Sequence, residues 1–184
     1  MKKVIGFVGS PRKGGNTETL VAEVLRGAAS VGAETEQISL AKARITPCRA
    51  CDGCRKGGRC LVEDEMQPLY DKMLEADVIV LGTPIYFWGP SAQAKAFVDR
   101  WYAMDQEGIR EKLAGKKFLL ICAFADSNPE TASPTVNMMR TGTEYLGMEF
   151  HEPLLAASCW EKTDAAANAE LMRRAFEFGA KLGR

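Results

Sequence analysis

Apolar residues fall along this chain in short continuous runs, separated by stretches with helical spacing. Residues 4–9 (VIGFVG) form such a run and lead into Ser-Pro, which reads as a buried strand followed by a turn. Residues 17–31 place Leu20, Val21, Val24, Leu25 and Ala28 on one face of a helix. Residues 35–40 alternate weakly, as a strand near a sheet edge does. Residues 78–82 (VIVLG) and 117–123 (KFLLICA) are further buried strands, and 150–156 a fifth. Residues 66–75 predict a short helix. Residues 90–102 predict another, with proline at its start, where the missing N–H is tolerated. Residues 134–146 predict a third, closed by Gly147, and 165–182 a last one.

Strands alternating with helices, and strands that are apolar on both faces, imply an α/β fold. The pattern predicts a doubly wound, five-stranded parallel sheet with helices on both faces. A cysteine-rich insertion loop, about 44–62, follows the second strand. No repeat, low-complexity run or linker interrupts the pattern, so 1–184 is expected to form one domain. Ligands of such sheets bind beyond the carboxyl ends of the strands. The informative loops are therefore those after Gly9, Leu40, Gly82 and Ala123.

Composition narrows the class of partner. Apolar residues make up 46% of the chain, charged residues 26%, and the formal net charge is zero. A nucleic-acid binder is usually basic, so no nucleic acid is expected. No segment approaches the ~20 apolar residues that span a bilayer, and no signal-peptide pattern opens the chain. The expectation is a cytoplasmic protein with no membrane partner. Thiols stay reduced there, which argues against disulfides among the six cysteines. Cys122 and Cys159 sit in apolar surroundings (LLICAFA and LAASCW) and read as buried packing residues.

The loop after the first strand reads GSPRKGGNT, from Gly9 to Thr17, and then a helix begins. A glycine-rich turn there offers unpaired N–H groups and the positive end of the helix dipole. Ser10, Asn16 and Thr17 add short donors, Arg12 a cation, and Gly15 room for close approach. The loop is suited to a phosphate monoester. It is neither G-x-G-x-x-G nor Walker A, because Gly15 stands where Walker A needs lysine. The plainer alternative is a turn in which Asn16 or Thr17 caps the helix.

The third strand runs into Thr83, Pro84, Ile85, Tyr86, Phe87, Trp88 and Gly89. Backbone amides beside apolar side chains suit a planar, heteroatom-rimmed ring; core or interface packing is the alternative for each aromatic. GSPRKGGNT, TPIYFWGPSAQAKAFVDR and the cysteine run between them resemble the NADPH-dependent FMN reductase-like branch of the flavodoxin superfamily. Within it they look most like the iron–sulfur flavoproteins. The resemblance covers about Lys2 to Trp101; beyond that only the strand–helix rhythm agrees. It implies a flavodoxin-like fold and noncovalent FMN. The loop Ser10–Thr17 would hold the FMN phosphate, and Thr83 to Gly89 would lie along the isoalloxazine. The loop at 125–127 is expected to close the other side. The resemblance also implies a homodimer or homotetramer.

Cys48, Cys51, Cys54 and Cys60 are spaced C-x2-C-x2-C-x5-C. Compact runs of this kind commonly hold iron–sulfur clusters, and the resemblance implies a [4Fe-4S] cluster. Three alternatives stand beside it: structural zinc, dithiol–disulfide chemistry through one C-x-x-C pair, and thiols with no cluster. Arg44, Arg49, Arg55, Lys56 and Arg59 face only Asp52 in this stretch. Such cations favour thiolates and offer a docking surface to an acidic ferredoxin. His151 reads as a strand-end residue. Lys95, Asp99 and Arg100 read as surface or interface ion-pair residues, the first two at i,i+4. No catalytic side chain is assigned, since the cofactor supplies the chemistry. Three functions follow. The first is an FMN and [4Fe-4S] redox protein between a carrier such as ferredoxin and a small-molecule acceptor. The second is a cluster-free NAD(P)H-dependent FMN or quinone reductase. The third is a non-enzymatic FMN carrier or module.

Overall fold

Each strand run offers apolar side chains to both faces, and the chain buries both. The computed structural model describes all 184 residues. It runs β1 (Lys3–Val8), α1 (Asn16–Ala29), β2 (Glu34–Ser39), α2 (Gly53–Gly57), α3 (Gln67–Glu75), β3 (Val78–Tyr86), β4 (Gly89–Pro90), α4 (Ala92–Asp99), α5 (Arg110–Leu113), β5 (Lys117–Ala123), α6 (Ser133–Tyr145), β6 (Glu149–Phe150), β7 (Leu154–Ala156), α7 (Asp164–Ala167) and α8 (Ala169–Leu182). The sheet order is β2-β1-β3-β5, with β6 and β7 sharing the fifth place beside β5. These pairings are all parallel. With β6 and β7 counted as one strand and the two-residue β4, which pairs only with β3, left out, this is the 2-1-3-4-5 order of the flavodoxin-like doubly wound fold.

Side chains alternate between two cores, as a pleated strand requires. Ile5, Phe7, Ile79, Leu81, Phe118 and Leu120 enter one core, with α3 and α4 contributing Met73 and Phe97. Val4, Val8, Val80, Leu119 and Ile121 enter the other, under α1 and α8. The latter two helices cross backbone to backbone. A Cβ on Gly179 would lie 1.8 Å from the Val24 carbonyl oxygen, and one on Gly27 2.0 Å from that of Phe176. Only glycine permits this crossing.

Four elements differ from the sequence pattern, the last helix among them: it is broken at Asn168 into α7 and α8. The fifth strand is split: His151 still donates its N–H to Phe118 O (2.9 Å), but Pro153 has none to give. His151 is half-buried at that break, and burial, with Lys117 nearby, pushes its pKa down. The third strand continues past Gly82 to Tyr86 and turns back into β4. Pro90 therefore belongs to β4. The helix starts two residues later, at Ala92, with the Ser91 hydroxyl accepting from Ala94 N–H (3.2 Å), and ends at Asp99, where a 3-10 turn takes over.

Candidate functional site

The carboxyl ends of β1, β3, β5 and β7 surround a cleft of about 220 Å³. Its floor is the first loop. Gly15 is the N-cap of α1, and no side chain caps that helix. The capping alternative for Asn16 and Thr17 is thus excluded. The first-turn N–H groups of a helix have no intrahelical partner, so this end is prepared for an anion. Arg12 and Ser10 line it, the Ser10 hydroxyl accepting from Arg12 N–H (3.2 Å). Glu18 accepts from Gly14 N–H and so occupies one donor of the loop.

Asn16 lines the cleft with Thr17, and its side chain has a further task. Its amide nitrogen donates to Glu161 O (2.7 Å) and to Cys159 O (3.4 Å), and its oxygen accepts from Ala165 N–H (3.0 Å). It ties the first loop to the segment after β7. Asn16→Ala leaves these partners unpaired, at ~1–3 kcal/mol. We expect a lower urea midpoint at unchanged slope; an unaltered midpoint would show that the tie carries no stability.

The loops after β1 and β3 are joined behind the cleft. Ser91 donates its hydroxyl to Gly9 O (2.5 Å) and its N–H to the Thr83 hydroxyl (3.0 Å). Thr83 is fully buried in this link and does not line the cleft. It positions the wall that Pro84, Ile85 and Tyr86 form. Phe87 and Trp88 stand outside, 94% and 56% exposed, with ring centroids 5.2 Å apart. Both have φ near +50 to +65°, and Gly89 pairs back with Tyr86. This is the backbone of a two-residue hairpin turn that favours Asn-Gly. Bulky residues there are strained by ~1–3 kcal/mol each.

The opposite wall is Ala123, Phe124 and Ala125, with Cys159 and Trp160 after β7. It lies slightly earlier than the 125–127 segment expected. Cys159 is not the buried packing residue its sequence context predicts: it is half-buried, lines the cleft, and burial raises its thiol pKa. Cys122 is fully buried as expected, its thiol pushed up to about 12 by desolvation. Phe124, Cys159, Trp160 and Ser91 were not picked out as site residues. The rule that ligands sit past strand ends, applied to β7, points to the Cys-Trp pair.

A second, smaller cleft lies in the insertion loop, and Cys48, Cys51, Cys54 and Cys60 all line it. Cys54 is buried; Cys48 and Cys51 are exposed. Ala50 and Asp52 take positive φ on either side of Cys51, winding the loop tightly. The Gly53 N–H and Arg49 hold the Cys51 thiol pKa down, whereas burial raises that of Cys54. No three His, Cys, Asp or Glu side chains are grouped to hold a metal ion. Two of the loop's cations are neutralised: Arg55 pairs with Asp105 (2.6 Å) and Arg44 with Glu65 (3.4 Å). Arg100 is a correction to the surface reading. It is 1% exposed and reaches the Cys60 sulfur (3.3 Å), while Lys95 and Asp99 form the expected surface pair.

The model of the NADPH-dependent FMN reductase family matches residues 2–157. This chain belongs to that family. The match runs well past Trp101 and takes in β5 to β7. The chain is 50% identical over 98 residues to an iron–sulfur flavoprotein of Methanocaldococcus jannaschii, across 53% of this chain and 51% of the relative. It is 32% identical over 136 residues to an iron–sulfur flavoprotein of Archaeoglobus fulgidus, across 73% and 60%. It thus spans about half to three-fifths of the length of these relatives. An NAD(P)H:quinone oxidoreductase from Methanothermobacter marburgensis matches with a TM-score of 0.80 at 16% identity, over 100% of this chain and 96% of that one. That likeness is one of fold. No helix is long and apolar enough to cross a membrane.

Proposed function

We propose that this chain is an FMN-dependent oxidoreductase that also carries a [4Fe-4S] cluster. It would move electrons between a carrier such as ferredoxin and a small acceptor. The cleft residues fit FMN. Family membership, an uncapped helix start, Arg12 and Ser10 favour its phosphate end. Pro84, Ile85 and Tyr86 on one wall, and Phe124 and Ala125 on the other, favour a flat ring. A Cβ on Gly15 would come within 3.0–3.1 Å of Arg12, so the loop's close approach depends on that glycine. Bound FMN supplies two-electron and one-electron exchange; the protein positions it and excludes water.

The observation that carries the cluster is that all four thiols line one cleft. Thiolate is the donor set such clusters take. A cluster accepts its ligands at its corners, so it needs thiols spread wider than one zinc ion does. The two relatives named as iron–sulfur flavoproteins support the same reading. Exposed cations without an ion-pair partner, Arg49, Lys56 and Arg59, would face an acidic carrier.

The test is anaerobic reconstitution with iron, sulfide and FMN. We expect one FMN and about four irons per chain, and loss of iron in Cys54→Ser. Flavin without iron in the wild-type chain refutes the cluster. Flavin bleaching by NADPH in that iron-free protein would assign it to the NAD(P)H-dependent reductases.

A further inference from the structure

We propose that Arg100 tunes the reduction potential of the cluster through its hydrogen bond to Cys60, and that Asp64 sets how much of its charge is felt. This rests on the cluster reading above. Arginine is almost never fully buried unless paired, and Arg100 is 1% exposed. Its Nη1 donates to Thr46 O (2.8 Å) and Asp64 Oδ2 (2.7 Å). Its Nη2 donates to Cys60 Sγ, Val62 O and Asp64 Oδ1, each at 3.3 Å. Nε is buried with no partner. Asp64 in turn accepts from Thr46 N–H (2.8 Å) and Met66 N–H (3.0 Å).

A clamp for the loop needs only the two carbonyls and the carboxylate. The bond to sulfur does something more. One electron delivered by the carrier adds one negative charge to the cluster and its thiolates, with no bond broken and no proton required. A donor on a ligand sulfur favours that more negative state and raises the potential. Burial keeps the guanidinium unscreened, unlike the exposed Arg49 beside Cys51. Asp64 opposes it, because its carboxylate cancels part of the cation. The two residues therefore act on the potential with opposite signs.

The test uses the full chain, reconstituted anaerobically, with iron content, melting temperature and cluster midpoint potential measured on each variant. Arg100→Gln removes the cation and is expected to shift the reduction equilibrium about tenfold toward the oxidised form, 59 mV downward for one electron. Asp64→Asn unmasks the cation and is expected to shift it upward. If Arg100→Gln does not fold, the sign of the Asp64→Asn shift decides alone. A purely structural Arg100 would lower iron content without moving the potential of the clusters that form, and that result overturns the proposal. So does a shift of the same sign in both variants. A wild-type chain that takes no iron defeats the cluster reading itself, and this proposal with it.

Discussion

Arg12→Glu is expected to weaken FMN binding about 100-fold. Arg12 lines the cleft beside the uncapped start of α1. A charged hydrogen bond to a phosphate contributes ~1.5–3 kcal/mol. The introduced carboxylate would also compete for the free N–H groups and repel the phosphate. A total near ~3 kcal/mol corresponds to about two decades of affinity. The fold should not suffer. Arg12 is exposed, and its guanidinium makes one long contact, to Trp160 O at 3.4 Å. Stability should stay within ~0.5 kcal/mol of wild type. Lys13→Glu is the control, since Lys13 is exposed and does not line the cleft. Titrating apoprotein with FMN by flavin fluorescence gives the answer. Equal affinity in wild type and Arg12→Glu would place the phosphate elsewhere.

Gly179→Ala should be the most damaging small substitution in the chain. Helix propensity alone favours alanine there by ~1 kcal/mol. Packing opposes it with a Cβ 1.8 Å from the Val24 carbonyl oxygen, a backbone atom that cannot swing away. α1 and α8 would have to separate, opening the core that holds Val24, Leu25, Leu171 and Ala175. Overpacking of this kind costs ~3 kcal/mol. For a chain of this size that lowers Tm by roughly 6–12 °C. Gly142→Ala, in α6, meets nothing within 4 Å and should raise Tm slightly. If both substitutions raise Tm, the helices do not cross as closely as described.

Much of this was legible because it is local. Apolar runs such as VIVLG, short and rich in β-branched residues, read as buried strands, and the two cores divide them as alternation requires. GSPRKGGNT marks a glycine-rich turn from strand to helix, and that turn does line the cleft, with no side chain capping α1. Other features depend on residues far apart in the sequence. Nothing beside Arg100 reveals that Asp64 and Cys60 meet it across the insertion; its neighbour Asp99 pointed to the surface instead. Thr83 looked like a cleft residue, yet its hydroxyl is taken by Ser91, which lies beyond the hairpin. Asn16 lines the cleft as its place in the loop implies, but nothing beside it in sequence shows that its side-chain amide is held by the segment at 159–165. The strained turn at Phe87 and Trp88 runs against local preference altogether, and no propensity argument would have found it.

The family match stops at residue 157. Cys159, Trp160 and α8 lie beyond that point, yet they wall the cleft and cover one core. Residue 157 is therefore not a seam along which relatives could exchange parts. A hybrid joined there would inherit its first loop from one parent and the facing wall from another. Asn16, bonded across that junction, would then meet a segment it had never been fitted to.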